Sequence, residues 1–255
     1  MKYKDTVLPI LREAQAILLP KWGNISHTHK DQNAANTVTE CDVAIENLLK
    51  EKLKVIYPDI GFVGEETGGN REAERFWLVD PIDGTTHFIR GLPFCTSMIA
   101  LIERGEVVFS AIYDFVRDEM YFAEKGQGAW KDDVRLHVSN RALADSYIAW
   151  ETHTGKPENA KQMIELLKRC VHIKTISGGW EFAQIASGKL DGRVMFDPWG
   201  GDYDYAPCSL LVSEAGGIVA NLGSDKYDYR NTNFIAANPV VYPELQKIFK
   251  DYKAS

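Results

Sequence analysis

Apolar residues Val7, Ile10, Leu11, Ala14, Ile17 and Leu18 recur at the spacing of one helix face, so the start of the chain predicts an amphipathic helix. Basic residues precede this stretch as in a signal peptide. Arg12, Glu13 and Gln15 interrupt it, however, and no small-residue cleavage site follows. A polar stretch, NISHTHKDQNAAN at 24–36, leads into a second helical pattern, TVTECDVAIENLLKEKLKVIYP at 37–58. There Thr39 followed three residues later by Asp42 marks a helix start, and Pro58 marks its stop. From Ile60 to Ala123 the period shortens, and IGFV, FWLV, TSMIALIE, EVVFSAIYD and EMYFAE read as strands, with RGE at 104–106 as a hairpin turn. Beyond Pro157 the patterns alternate: a helix near 158–170, a strand at 172–176, a helix at 179–188, a strand at 192–196 and a helix from about 204. GGIVAN, NFIAAN and a helix after Pro239 follow. Consecutive strands and then alternating elements predict a layered α/β sandwich. Its two halves, 1–140 and 141–255, pack as one unit, since no linker, repeat or low-complexity tract separates them.

Composition narrows the function. A chain of 255 residues that is 45% hydrophobic can bury a substantial core. Its formal charge of -7 gives no general attraction for nucleic acid or an anionic membrane surface, and no apolar run is long enough to cross a bilayer. An anionic substrate stays possible, because bound cations invert the sign of a site locally. Cys41, Cys95, Cys170 and Cys208 form no C-x-x-C pair, which suits reduced thiols in a cytoplasmic protein.

The chemistry concentrates in three acidic elements. In FWLVDPIDGTTHF, at 76–88, an apolar strand ends in Asp80, Pro81 stops regular pairing, and Asp83-Gly84 makes a tight turn. The two acids either cap that turn or converge on a hard divalent cation, with the Ile82 carbonyl as a further oxygen ligand. Thr85 and Thr86 then offer backbone N–H groups to a phosphate. GFVGEET, at 61–67, is a second strand ending in adjacent acids, Glu65 and Glu66, which are either solvated surface or neighbours of Asp80. In GGDYDYAPCSLLVSEAGG, at 200–217, Asp204 stands where a helix begins, with Pro207 in its first turn; Asp202 competes for the same role, and either is also a plain N-cap.

Together these elements resemble the inositol monophosphatase family, within the lithium-sensitive, magnesium-dependent phosphatases that include fructose-1,6-bisphosphatases. The resemblance spans nearly the whole chain. It rests on Gly64-Glu65-Glu66, on Asp80-Pro81-Ile82-Asp83-Gly84-Thr85, and on Tyr203-Asp204 ahead of Glu214-Ala215-Gly216-Gly217, a spacing that selects Asp204 over Asp202. Val38-Thr39-Glu40-Cys41-Asp42 and Gly126-Gln127-Gly128-Ala129 match in the same order. The resemblance implies an α-β-α-β-α sandwich, a homodimer, and two or three Mg²⁺ ions per site. Glu65, Asp80 and the Ile82 carbonyl would hold one ion; Asp80, Asp83 and Asp204 would hold a second. Thr85, oriented by Asp42, would help to deprotonate the attacking water, and Glu66 would steer the ligands. Gly84 and Thr85 would receive the phosphate, while Ser177, Gly178 and Asp197 would face the alcohol.

The chain departs from the family's pattern on the alcohol side. His87 replaces a common asparagine, Ile176 an expected glycine, and Trp180 a smaller residue, while MFDPWGGDYD runs about two residues longer than the usual path to the metal-binding aspartate. The expected substrate is an inositol-1-phosphate-like monoester. Histidinol phosphate and sugar bisphosphates are alternatives, and a metal-stabilised interaction protein without turnover is the alternative of another class.

Overall fold

The computed structural model describes residues 1–29, 37–174, 176–250 and 252. Its first apolar stripe forms two short helices rather than one, α1 (Lys4–Arg12) and α2 (Ala14–Leu18), which bury Val7, Ile10, Leu11, Ala14 and Leu18 as anticipated. They part at Glu13, whose N–H is shared between the carbonyls of Pro9 and Ile10, a tightened last turn. A small ribbon, β1 (His27–His29) and β2 (Thr37–Thr39), leads into α3 (Glu40–Ile56). Most of the polar stretch expected at 24–36, namely 30–36, lies outside the described residues. Thr39 caps α3 by accepting from Cys41 N, and Asp42 accepts from Thr39 N at 2.7 Å, the capping box that their spacing predicts.

A seven-stranded sheet follows, built from β3 (Gly61–Gly64), β4 (Arg75–Asp83), β5 (Thr96–Glu103), β6 (Glu106–Asp114), β7 (Glu119–Glu124), β8 (Ala129–Lys131) and β9 (Val134–Arg135), in that spatial order. Helix α4 (Thr85–Ile89) lies between β4 and β5. All five expected runs are strands, and Arg104 and Gly105, at φ 50° and 80°, make the expected two-residue hairpin turn. Pro81 does not end its strand. β4 continues through it to Asp83 by a bulge, the register against β5 passing from Asp80–Met98 to Asp83–Thr96, so three steps on one strand face two on the other. Proline has no N–H for the ladder, and its carbonyl is taken instead by Ser97 Oγ at 2.6 Å.

The rest of the chain alternates β10 (Tyr147–Glu151), α5 (Pro157–Leu167), β11 (Val171–Lys174), α6 (Gly178–Ala186), β12 (Gly192–Met195), α7 (Asp202–Glu214), β13 (Ile218–Asn221), β14 (Phe234–Ala237) and α8 (Tyr242–Ile248). Strand β10 was not expected from its pattern; the strand expected at 172–176 forms at 171–174, with residue 175 outside the described set. These strands make a second sheet in the order β11-β10-β12-β14-β13. Helices α6 and α7 lie between the two sheets and touch strands of both. They are buried nearly all round, as a middle layer requires.

Five layers result. Helices α1 to α3 cover the outer face of the first sheet through Ile45, Leu49, Trp77, Ile99 and Phe109. Its inner face meets α6 and α7 through Met98, Ile112, Phe182 and Leu211. The second sheet's far side packs on α5 and α8 through Ile148, Val194, Leu166 and Leu245. Central strands covered on both faces explain why FWLV and TSMIALIE read as continuous apolar runs. Among the described residues, no helix is long and apolar enough to cross a membrane.

The end of α7 is clasped to the first sheet, since Gly126 N and Gly128 N each donate to the Glu214 carboxylate at 2.7 Å. Glu214→Ala strands two backbone donors and is expected to lower stability by about 1–3 kcal/mol. Urea unfolding measures the loss, and Glu214→Gln should recover part of it.

Candidate metal centre

β3 and β4 run parallel with Gly64 opposite Val79, and Glu65 N donates to the Val79 carbonyl at 3.0 Å. Glu65 therefore emerges beside Asp80, as neighbouring strand ends would have it. Glu46, on the buried face of α3, accepts from Glu66 N at 2.7 Å and Thr67 N at 3.0 Å and so fixes the loop that carries both glutamates. A Cβ at Gly64 would collide with the Glu46 carboxylate, which is why glycine precedes the acids.

Asp80 is 1% exposed, and neither of its carboxylate oxygens has a hydrogen-bond partner among the described residues. One carboxylate oxygen from each of Asp80, Asp83 and Asp204 lies within 4.8 Å of the others. Burial, followed by the charges of Glu65, Asp204 and Asp83, holds the Asp80 carboxyl well above the usual carboxylate range. Burial and the charges of Glu65 and Asp83 do the same to Asp204. A donor-free buried carboxylate flanked by two more is costly unless it is protonated or a cation sits among the oxygens. An all-oxygen donor set fits a hard divalent ion.

Asp83 is held from outside the cluster. Its Oδ2 accepts from Ser177 Oγ, from Gly179 N at 3.0 Å and, weakly, from Thr96 Oγ1. Ser177, expected to face the alcohol, donates its hydroxyl hydrogen to Asp83, because α6 begins directly over the β4 bulge. A Cβ on Gly178 would stand 3.2 Å from Asp83 Oδ1, and one on Gly179 would collide with Thr96, so the glycines permit that approach.

Helix α7 starts at Asp202, earlier than expected, so Asp204 is its third residue and accepts from Gly201 N at 2.6 Å. Pro207 accordingly lies inside the helix rather than in its first turn, and the N–H it lacks is the one that would have met the Tyr203 carbonyl. Asp202, the competing acid, instead pairs with Arg71.

Gly84 turns the chain at φ 77° into α4. Thr85 Oγ1 donates to the Ile82 carbonyl at 2.9 Å, leaving that oxygen a second lone pair. Among the described residues no hydrogen bond joins Thr85 to Asp42, contrary to expectation, because Asp42 Oδ2 is taken by Thr39 N and Oγ1, both at 2.7 Å. Asp42 Oδ1 is buried with no partner there, and burial pushes the carboxyl up to about 7 against the Thr39 hydrogen bonds. His87 Nδ1 is likewise buried without a partner among the described residues, and desolvation holds the imidazole below its ordinary pKa.

Asp197 stands outside the acid cluster. On a left-handed backbone at φ 51°, its Oδ2 meets Lys156 Nζ at 2.7 Å and Asn159 Nδ2 at 2.8 Å. Desolvation works upward, but these two partners hold its carboxyl below the usual range. Lys156 and Asn159 thus engage that one oxygen of the carboxylate. The longer path past it is anchored by Glu151, whose Oε1 accepts from Trp199 N and Gly200 N at 3.0 and 3.3 Å and from the Tyr205 hydroxyl at 3.0 Å.

Glu151 also belongs to a buried ion group that the sequence pattern did not reveal. Arg193, 1% exposed, bonds Glu151 and pairs with Glu181 at 2.8 Å, and its charge opposes the rise of Asp83. Burial pushes Glu181 up to about 7 even beside Arg193. Single charges inside the apolar segments GRVMF and GGWEFAQIA are the signal that could have marked Arg193 and Glu181; Glu46 is marked by sharing the Asp42 helix face.

The sequence profile of the inositol monophosphatase family matches residues 4–254. The chain belongs to that family. Among inositol monophosphatase relatives, the Dictyostelium discoideum protein of that name is 30% identical over 261 residues, covering 97% of this chain and 94% of its own. A Neisseria meningitidis protein named putative Nus factor SuhB is 32% identical over 260 residues, 96% of this chain and 97% of that one. The solved structure of the Thermotoga maritima inositol monophosphatase superposes with a TM-score of 0.89 at 26% identity, covering 98% of each chain. The five-layer α-β-α-β-α sandwich is the inositol monophosphatase fold.

Asp80→Asn removes one of the mutually repelling acids. It should raise the Tm of the chelator-treated protein, by about 2–4 °C for each kcal/mol relieved, and cancel any Tm gain from Mg²⁺. Carboxyls with folded pKa values above their unfolded ones favour the fold at low pH and lose that contribution as pH rises. The metal-free protein should therefore weaken from about pH 4 to pH 7, the window set by Asp42. Scanning calorimetry across that range, with chelator and with Mg²⁺, checks both; a metal-free Tm independent of pH would contradict the assignment.

Proposed function

We propose that the chain is a Mg²⁺-dependent phosphatase acting on the monoester of a small soluble metabolite. The observation that carries this reading is Asp80, buried and without hydrogen-bond donors between Asp83 and Asp204. Glu65, Asp80, the Ile82 carbonyl, Asp83 and Asp204 would hold two or three Mg²⁺ ions. Such ions supply Lewis acidity toward the phosphate and the leaving oxygen and make water a stronger nucleophile.

The chain's own groups do the rest. Thr85 N and Thr86 N, in the first turn of α4 where no intrahelical partner exists, receive phosphate oxygens. Thr85 Oγ1 donates a hydrogen bond to the Ile82 carbonyl, and its lone pairs would accept from the attacking water. Asp42, whose charge is felt by Asp80 and whose Oδ1 has no hydrogen-bond partner among the described residues, is the further acid beside the cluster. Glu46, Ser177 and Gly179 keep the ligands in place.

Inositol-1-phosphate is the ester that the relatives' names put first on a panel, with histidinol phosphate and sugar bisphosphates beside it. The relative named a Nus factor favours a second reading, an interaction protein that keeps the fold and a stabilising cation without turnover. A homodimer in the cytoplasm belongs to the proposal on family resemblance.

Phosphate release from that panel, with Mg²⁺ and with chelator, separates the readings: release that requires Mg²⁺ supports the phosphatase. Thr85→Ala should lower kcat by about a hundredfold while leaving the Mg²⁺-dependent Tm rise in place. Release from no ester, with that Tm rise retained, favours the interaction protein. LiCl should inhibit more than KCl at equal ionic strength, since Li⁺ matches the size of Mg²⁺ with half its charge; equal responses to the two salts would sink that part of the reading.

A further inference from the structure

His87, Phe94 and Trp180 come from α4, from the loop before β5 and from the first turn of α6, yet they form one edge-to-face chain of rings. His87 and Phe94 lie 6.2 Å apart at 85°, and Phe94 and Trp180 lie 5.2 Å apart at 76°. All three are partly exposed, so the strip keeps an open side. It borders the acid cluster at both ends. A Cβ on Gly84 would stand 3.4 Å from His87 Nδ1, and Trp180 directly follows Gly179, whose N–H holds Asp83. The replaced asparagine and the enlarged residue at 180, two separate departures in sequence, thus build a single surface beside the candidate phosphate site.

Its polar endowment is meagre. His87 Nδ1 is buried, Ser177 Oγ donates to Asp83, and Asp197 Oδ2 is held by Lys156 and Asn159. A polyol laid on this strip would lose water from several hydroxyls, and the ring faces return no hydrogen bonds of comparable strength. An aromatic face loses little water and gains contact with rings that are already ordered.

We propose that the leaving-group side of the site selects phosphate esters whose alcohol carries an aromatic ring, seated against Trp180 and Phe94. This rests on the phosphatase reading, and the test separates the two. Wild type, Trp180→Leu and Trp180→Phe are assayed with Mg²⁺ on 2-phenylethyl phosphate and on glycerol 2-phosphate. Leucine keeps apolar bulk without a ring, and phenylalanine restores the ring. Wild type should favour the aromatic ester about tenfold or more in kcat/KM. Trp180→Leu should lose about tenfold, or about 1.4 kcal/mol, on that ester alone, with Trp180→Phe recovering most of it. A preference for glycerol 2-phosphate, or equal losses on both esters, overturns the aromatic selection and leaves the phosphatase standing. Should neither ester be hydrolysed, the phosphatase reading loses support, and calorimetric titration with 2-phenylethyl phosphonate still decides the strip. Binding weakened about tenfold by Trp180→Leu and restored by Trp180→Phe supports it; equal affinity in all three proteins overturns it.

Discussion

The repulsion among Asp80, Asp83 and Asp204 is the constraint around which this fold is arranged. Their oxygens crowd within 4.8 Å although each arrives from a different place: the middle of a bulged strand, its end, and the first turn of a helix from the other half of the chain. Burying such a group works against folding unless every surrounding element is fixed independently of it. That fixing comes from residues with no share in the cluster itself. Glu46 holds the neighbouring loop, Ser177 and Gly179 hold Asp83, and Arg193 brings positive charge close behind. Charge at the centre is thus offset by well-satisfied polar contacts one layer out.

The outer contacts also explain how a site can be assembled from both sheets. Arg193 leaves β12 and meets Glu151 at the end of β10 and Glu181 on α6; Glu151 in turn carries the backbone of Trp199 and Gly200 and the Tyr205 hydroxyl. A displacement of the helix bearing Asp204 would therefore be felt at Asp83, through side chains that lie outside the acid cluster.

Much of this was legible in the chain, and the reasons differ by element. Strands covered on both faces announce themselves as apolar runs, and the Thr39–Asp42 cap is a local device, so both appear in sequence. The adjacency of Glu65 and Asp80 followed from two strand ends needing a common neighbour. Pro81 misled because a bulge spends an unpaired residue where a ladder could not, and the start of α7 was misplaced because Gly201 and Asp202 already serve the first turn. Long-range choices were invisible. Thr85 points to the Ile82 carbonyl instead of Asp42, and Asp197 turns to a lysine brought near only by tertiary folding. Two short motifs that matched separately, Gly126-x-Gly128 and Glu214-Ala-Gly-Gly, prove to be the two sides of one clasp.

The middle layer has a consequence for synthesis. Strands β3 to β9 precede α6 and α7 in the chain, so they leave the ribosome with Met98, Ile112 and their neighbours on a bare face and with Asp80 and Asp83 lacking Asp204. The nascent first sheet cannot close its inner side with anything it has yet produced. Completion waits on two helices made later, and the acid cluster and the final hydrophobic seal form in the same event. For a growing chain, the interval between those two moments is the period of greatest exposure to wrong partners.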